Sequence, residues 1–365
     1  MRIVIFTKKY GYDFTGATVA THELAHRFAA APDVERVDVV AKITGKYDPD
    51  SKIRVRRYKG TDPRPLIRRL SGSGAVFYSD DHTGYILGQC GVPYVHTYHG
   101  NWPDARYLNA EFFLKSFYFM PLYARTLRDA ACVVNVSKYM ESFTDRYNRN
   151  SVVIRNGTAP DQNDCGTRRP EDGKLSEIHR PGKARGGRCV MLGGVDARKY
   201  GRLPGLLSEL DKQKIRASID IYGGISDRKL AGNLAKSGRV CLKGFVPRKD
   251  IDFSVYDLFL STSSCENLPI SIVEALKMKI PVIAADTGGI REVVNENCGR
   301  VIPGTRMDRM AEAIGRSLDG RIRYDFNNPH LDGFNWDTAA GQYLRLFRNI
   351  TGRENGADSE RRKKL

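Results

Sequence analysis

Residues 264–275 read SCENLPISIVEA and place two carboxylates, Glu266 and Glu274, with seven residues between them. The apolar run Leu258–Ser261 just before is predicted as a strand. A helix is predicted to begin around Pro269–Ile270, because a proline's missing N–H would be unpaired in a first turn anyway. Glu266 then lies in the loop and Glu274 about one turn into the helix. Carboxylates accept hydrogen bonds from hydroxyls, while first-turn amides and the positive end of the helix dipole hold phosphate. The arrangement suits a ligand carrying both groups, although two ordinary surface glutamates would have the same spacing.

Other residues could do chemistry. His99, in Tyr98-His99-Gly100, follows a predicted strand, and Gly100 permits close approach of a ligand; a structural histidine is the alternative. His82, in Asp80-Asp81-His82, is a second candidate of the same kind. The segment GGVDARK, residues 193–199, follows another predicted strand and offers Arg198 and Lys199. Gly16 lies in a loop between the first strand and the first helix. Asp250-Ile251-Asp252 precedes a short helix and reads as a cap or surface pair. Gly223-Gly224 reads as a turn. There is no phosphate-binding Walker loop. No Cys/His cluster is read as having metal-ligand spacing, so no metal is expected.

These residues must be positioned by an alternation of strands and helices. Strands are predicted at 2–6, 37–41, 75–78, 94–97 and 132–136, with a helix over 19–28 after the first. After residue 188 alternation restarts, with strands at 189–192, 218–222, 240–242, 258–261 and 282–285, and helices at 270–278 and 307–318. Such alternation implies parallel sheets covered on both faces. The expected organisation is a Rossmann-like half over 1–156, a Gly-, Pro- and charge-rich linker over 157–188, and a second Rossmann-like half over 189–330. A closing segment, 331–350, contains the helix 336–350, and a polar tail takes 351–365. Ligands of doubly wound sheets sit beyond the carboxyl ends of the strands, here in a cleft between the halves.

Composition agrees with two such domains. The chain has 365 residues, 41% hydrophobic and 28% charged, which excludes wholesale disorder. No run of 18 or more apolar residues occurs, so no spanning helix is expected. The apolar start is too short for a signal peptide, and seven scattered cysteines without C-x-x-C read as reduced thiols. A cytoplasmic protein is expected. The net charge of +17 favours polyanions: nucleic acid, acidic membrane or phosphorylated small molecules, unless it serves solubility alone.

The residues around the glutamate pair carry a resemblance. Glu266-Asn267-Leu268-Pro269, Glu274-Ala275, Pro281-Val282-Ile283-Ala284 and Gly288-Gly289-Ile290-Arg291-Glu292 together resemble retaining glycosyltransferases of the GT-B fold, family 4. Weaker matches occur in the right order: the Gly16 loop, Tyr98-His99-Gly100, Asn135-Val136-Ser137, Asn156-Gly157, and Trp336 opening the last helix. The resemblance implies an α/β fold of two doubly wound domains facing a central cleft. It implies that Glu274 bonds the ribose of a nucleotide, that Glu266 holds donor-sugar hydroxyls, and that amides around Asn267–Pro269, with Leu268, reach the sugar or diphosphate. Lys199 matches the family's diphosphate lysine. Gly194 stands where the family has arginine, and Arg198 is the candidate replacement. His99 matches a catalytically important histidine, and Gly16 a donor-binding glycine.

The expected reaction is transfer of a sugar from a nucleoside-diphosphate sugar to a glycan or lipid-linked acceptor, with retention and without a metal or other cofactor. A nucleotide-sugar epimerase of the same fold is one alternative. A non-catalytic basic scaffold for membrane or nucleic acid is another. Two features bear on the acceptor. Residues 52–69 contain Lys52, Arg54, Arg56, Arg57, Lys59, Arg64, Arg68 and Arg69 against Asp62 alone, and 112–123 read FFLKSFYFMPLY. A basic patch beside an apolar-aromatic helix suits an anionic membrane surface, placing the protein peripherally on the inner face. The aromatics equally suit a core, and the charges a solvated face. No specific nucleic acid is expected.

Overall fold

The computed structural model describes residues 1–58, 60, 62–72, 74–158, 186–326 and 328–352. Lys59 and nearly all of the segment read as a linker and of the polar tail lie outside these residues. The chain divides into two compact units, one of residues 1–158 with the stretch from 333 onward, the other ending at 332.

The first unit is built on seven parallel strands: β1 (Arg2–Tyr10), β2 (Arg36–Thr44), β3 (Ile53–Arg57), β4 (Val76–Ser79), β5 (Tyr94–Tyr98), β6 (Cys132–Asn135) and β7 (Ser151–Val153), in the order β3-β2-β1-β4-β5-β6-β7. Ile3 pairs with Val37 on one side and Val76 on the other, so β1 is central and its Ile3–Phe6 run is fully buried. A run apolar on both faces is what a doubly covered parallel sheet requires. Helices Arg64–Ser71 and Ala110–Asp129 send Ile67, Leu70, Tyr123 and Leu127 into one core. Helix Gly16–Ala30 packs against the terminal helix Trp336–Ile350, with Phe28 and Phe347 rings 5.3 Å apart and Tyr343 Oη 2.8 Å from Thr97 Oγ1.

The second unit has six parallel strands: β8 (Gly187–Leu192), β9 (Ala217–Tyr222), β10 (Val240–Gly244), β11 (Leu258–Ser261), β12 (Val282–Ala285) and β13 (Gly299–Ile302), in the order β10-β9-β8-β11-β12-β13. Helices Leu203–Lys212 and Met307–Leu318 pack their leucines, Met310 and Ile314 onto this sheet. Both sheets have the strand order of dinucleotide-binding folds, which reverses beside the first strand. Strands β3, β7 and β13 are additions to the sequence reading. Asp252 caps the turn Phe253–Val255, accepting from Ser254 N at 3.0 Å, which is the capping role expected of it.

One consequence concerns acid. His96 on β5 is fully buried, with Nδ1 2.8 Å from Ser79 Oγ and Nε2 unpartnered. Burial, reinforced by the neighbouring His99, lowers its pKa to about 3, and burial lowers His99 to about 4. In the unfolded chain both titrate near 6.5, so below that pH the unfolded state binds more protons than the folded one. Their stability contribution is intact above about pH 6.5 and is lost as pH falls toward 4. His96 alone should remove about 3 kcal/mol between pH 7 and pH 4. Urea midpoints at the two pH values, compared with His96→Gln, check this; equal pH slopes would contradict it.

Candidate functional site

Lys199 and Arg198 are held by a short helix, Ala197–Tyr200, just beyond the carboxyl end of β8. Asp196 caps it, its Oδ1 accepting from Lys199 N at 2.8 Å. The loop after β11 is tied to that helix from the other side. Thr262 Oγ1 donates to Lys199 O at 2.9 Å and Ser264 N to Arg198 O at 2.8 Å. Two neighbouring strand ends are thereby fixed against each other, and Glu266 is carried to the two cations. Its Oε1 lies 3.5 Å from Arg198 Nη1 and 3.7 Å from Lys199 Nζ, and accepts from Ser263 Oγ at 2.9 Å. Arg198 Nη1 also donates to Cys265 O at 3.1 Å. Arg198 and Lys199, adjacent in sequence, therefore converge on one carboxylate.

Lys199, Ser261, Thr262, Glu266, Pro269 and Ser271 line a pocket at these strand ends. Helix Ile270–Lys277 starts at Pro269 with no side-chain cap, as the sequence implied. Asn267 and Leu268 are buried and do not line this pocket. Gly288 explains part of the motif. Its φ is +58°, and a Cβ there would lie 2.1 Å from Glu266 O, so only glycine lets this turn support the Glu266 loop. Gly289 N completes the support by donating to Asn267 O at 2.7 Å.

Glu274 stands apart from this cluster. It pairs with Arg248 Nε at 3.3 Å, although the Oε2 involved makes no hydrogen bond of good geometry. Burial raises its pKa, and Arg248 opposes the rise. Arg248 and Arg202 are residues the sequence reading missed. Arg202 Nη1 donates to Ser263 O at 3.2 Å. Neither is flagged by local sequence, since each reaches the site only through the fold. Tyr200, whose hydroxyl donates to Gly193 O at 3.0 Å, sits among Asp196, Arg248, Glu266 and Arg198. Four cations, Arg198, Lys199, Arg202 and Arg248, stand against three carboxylates, Asp196, Glu266 and Glu274, an excess of one positive charge.

Gly16 and His99 belong to the first unit. Gly16 opens its helix behind the Thr15 cap, and a Cβ on it would meet nothing within 4 Å. His99 follows β5, partly buried, with Nε2 enclosed and unpartnered. His82 is buried against Phe119 and Tyr123, and burial lowers its pKa, which fits a packing role. At Gly194 a Cβ would make only ordinary contact, 3.5 Å from Gly224 O, with no positive φ. Gly194→Arg should therefore leave the melting temperature within about 2 °C and strengthen nucleoside-diphosphate binding by about tenfold or more, as one more charged hydrogen bond would. Weaker binding in the folded variant would show that Arg198 already fills that place.

A family model described as Glycosyltransferase Family 4 matches residues 14–162, and one described as glycosyl transferases group 1 matches residues 202–327. An alpha-D-kanosaminyltransferase of Streptomyces kanamyceticus is 33% identical over 130 residues, covering 33% of this chain and 34% of that one. The matches span about a third or less of the curated relatives' lengths. Among solved structures, sucrose-phosphate synthase from Thermosynechococcus elongatus superposes with TM-score 0.72 at 19% identity, over 96% of this chain and 99% of that one. Anabaena HepE in complex with UDP superposes with TM-score 0.68 at 17% identity, over 96% of this chain and all of that one. The fold is that of GT-B enzymes, two Rossmann-like units. The chain belongs to the group 1, family 4 glycosyltransferases.

Proposed function

We propose that this glycosyltransferase moves a sugar, with retention, from a nucleoside-diphosphate sugar to a glycan or lipid-linked acceptor. The observation that carries the donor half is the convergence of Arg198 and Lys199 on Glu266 at the ends of β8 and β11. Breaking an anomeric C–O bond leaves negative charge on the diphosphate. Preorganised cations are worth most where such charge develops. In this reading Lys199 and Arg198 meet the departing diphosphate, and Glu266 exchanges part of its ion pairing for donor-sugar hydroxyls. Glu274 Oε2 accepts from ribose, and His99 Nε2 serves the reacting sugar. A solved neighbour that holds UDP supports a nucleotide donor.

The chain's own cations carry the leaving-group charge, so no divalent ion is required for the chemistry. The test is release of nucleoside diphosphate from a panel of nucleotide sugars, with and without chelator. Slow release that survives chelator supports the reading. Interconverted sugars without release would favour an epimerase, and a chain inert to every donor would favour a scaffold.

The acceptor half rests on the first unit. On helix Ala110–Asp129, Phe113, Leu114, Phe117 and Tyr118 are 47%, 68%, 67% and 63% exposed, which core packing does not explain. Helix Arg64–Ser71 covers the same sheet face and offers Arg68 and Arg69. Among the described residues no helix is long and apolar enough to cross a membrane. The surface suits reversible docking on an anionic inner leaflet, where each Lys or Arg contributes about 1 kcal/mol. Arg56 is not available for it. It pairs with fully buried Asp38 at 2.9 Å, together with Arg2 and Arg36, and these pairs outweigh burial in lowering the Asp38 pKa. Arg68→Glu/Arg69→Glu should therefore abolish flotation with anionic vesicles at low salt while keeping the fold. Wild-type protein that fails to float would favour a water-soluble acceptor.

A further inference from the structure

Helix Gly16–Ala30 carries His22-Glu23-Leu24-Ala25-His26, two imidazoles one turn apart on one face. Their ring centroids are 4.6 Å apart. His22 Nε2 accepts from Asp48 N at 3.1 Å and lies 3.7 Å from Asp48 Oδ2. His26 Nδ1 lies 3.7 Å from Asp50 Oδ2, while its Nε2 is enclosed with no partner. One nitrogen from each ring and a carboxylate oxygen of Asp48 fall within 4.8 Å of one another. The H-E-x-x-H spacing is visible in the sequence, but the carboxylate that completes the set comes from the loop after β2, more than twenty residues away, so only the fold brings the three together.

We propose that His22, His26 and Asp48 bind a divalent transition ion of the zinc type, which pins the loop between β2 and β3 to this helix. Two imidazoles and a carboxylate are a zinc donor set, whereas calcium and magnesium prefer oxygen ligands throughout. Zinc–ligand distances of about 2.0–2.2 Å require the three donors to draw together by about an ångström. Asp48 can supply that movement, since its side chain is 67% exposed. His26 Nε2 is enclosed without a partner, and His22 Nε2 exchanges its hydrogen bond from Asp48 N for the ion. Asp50 is placed as the outer carboxylate that orients a metal-bound histidine. The site is structural and not hydrolytic. Glu23, the residue that would activate water in an H-E-x-x-H metalloprotease, is held by Arg27 Nη1 at 2.6 Å. What the ion stiffens is the segment before Gly16, because Tyr12 N donates to Lys46 O in the pinned loop at 2.9 Å.

The test uses the full chain stripped with chelator, then titrated with zinc chloride by calorimetry and with cobalt chloride by absorbance. The expected result is one ion per chain, a raised melting temperature, and cobalt d–d bands without a thiolate charge-transfer band. His26→Gln and Asp48→Asn should each weaken zinc binding by about tenfold or more. Cys241→Ser, at an exposed thiol, should leave it unchanged. Asp48→Asn decides alone should His26→Gln fail to fold. No uptake, affinity unchanged in Asp48→Asn, or a thiolate band would overturn the proposal. Turnover of the folded chain should not depend on this ion, so the outcome is separate from that of the donor assay.

Discussion

Lys199→Ala is expected to lower turnover by about 10²–10³-fold, the loss typical of removing one preorganised group from a developing anion. The fold should survive. Among the described residues Lys199 Nζ has a single ion-pair partner, Glu266, which keeps Arg198 and Ser263 when the lysine is lost. The short helix stays anchored through the Lys199 backbone, whose N–H bonds Asp196 and whose carbonyl accepts from Thr262. Donor affinity should fall less than turnover, because the charge matters most as the diphosphate departs. Single-turnover release of nucleoside diphosphate, measured with melting temperature, checks this. Near-wild-type rates in the folded variant would remove Lys199 from the chemistry.

Gly288→Ala is expected to damage the same site without touching a charged group. The added Cβ would sit 2.1 Å from Glu266 O and 2.8 Å from Asn267 O, on a backbone with φ +58°. A left-handed alanine costs about 1–2 kcal/mol, and moving two backbone carbonyls adds to it. We expect a loss of about 2–3 kcal/mol, a fall of roughly 5–10 °C in melting temperature for a unit of this size. Turnover well below the melting point should fall further than the lost stability explains, because the Glu266 loop must shift. Gly16→Ala is the contrast. No atom lies within 4 Å of its Cβ position, so stability should hold. A Gly288→Ala chain as stable and active as wild type would contradict the supporting role of this turn.

The sequence was most legible where local signals are strong. Helices Met307–Leu318 and Trp336–Ile350 have clear apolar periodicity and appear with the expected ends. Strands β11 and β12 are short apolar runs and also appear as read. β3 was hidden because IRVRR, at the sheet edge, has exposed arginines and reads as a charge cluster. One of those arginines, Arg56, is engaged by Asp38 in the neighbouring strand, a pairing only the sheet register creates. The aromatic stretch of helix Ala110–Asp129 was ambiguous because aromatics occupy every side of it; Tyr123 faces the core while Phe117 faces solvent. In the site, the motif located Glu266, Lys199 and the Gly288-Gly289 turn. That Arg198 shares Glu266 with Lys199, and that Arg248 pairs with Glu274, depends on neighbouring strand ends that sequence spacing does not encode.

Calorimetric titration of the full chain with UDP, GDP, ADP and dTDP, one at a time, tests the central claim most directly. The account predicts that at least one binds at a single site, and that Lys199→Ala and Glu274→Ala each weaken it by about 1.5–3 kcal/mol, the worth of a charged hydrogen bond. A folded wild-type chain that binds none of the four, or binding unchanged by both substitutions, would contradict a nucleotide-sugar site at the ends of β8 and β11.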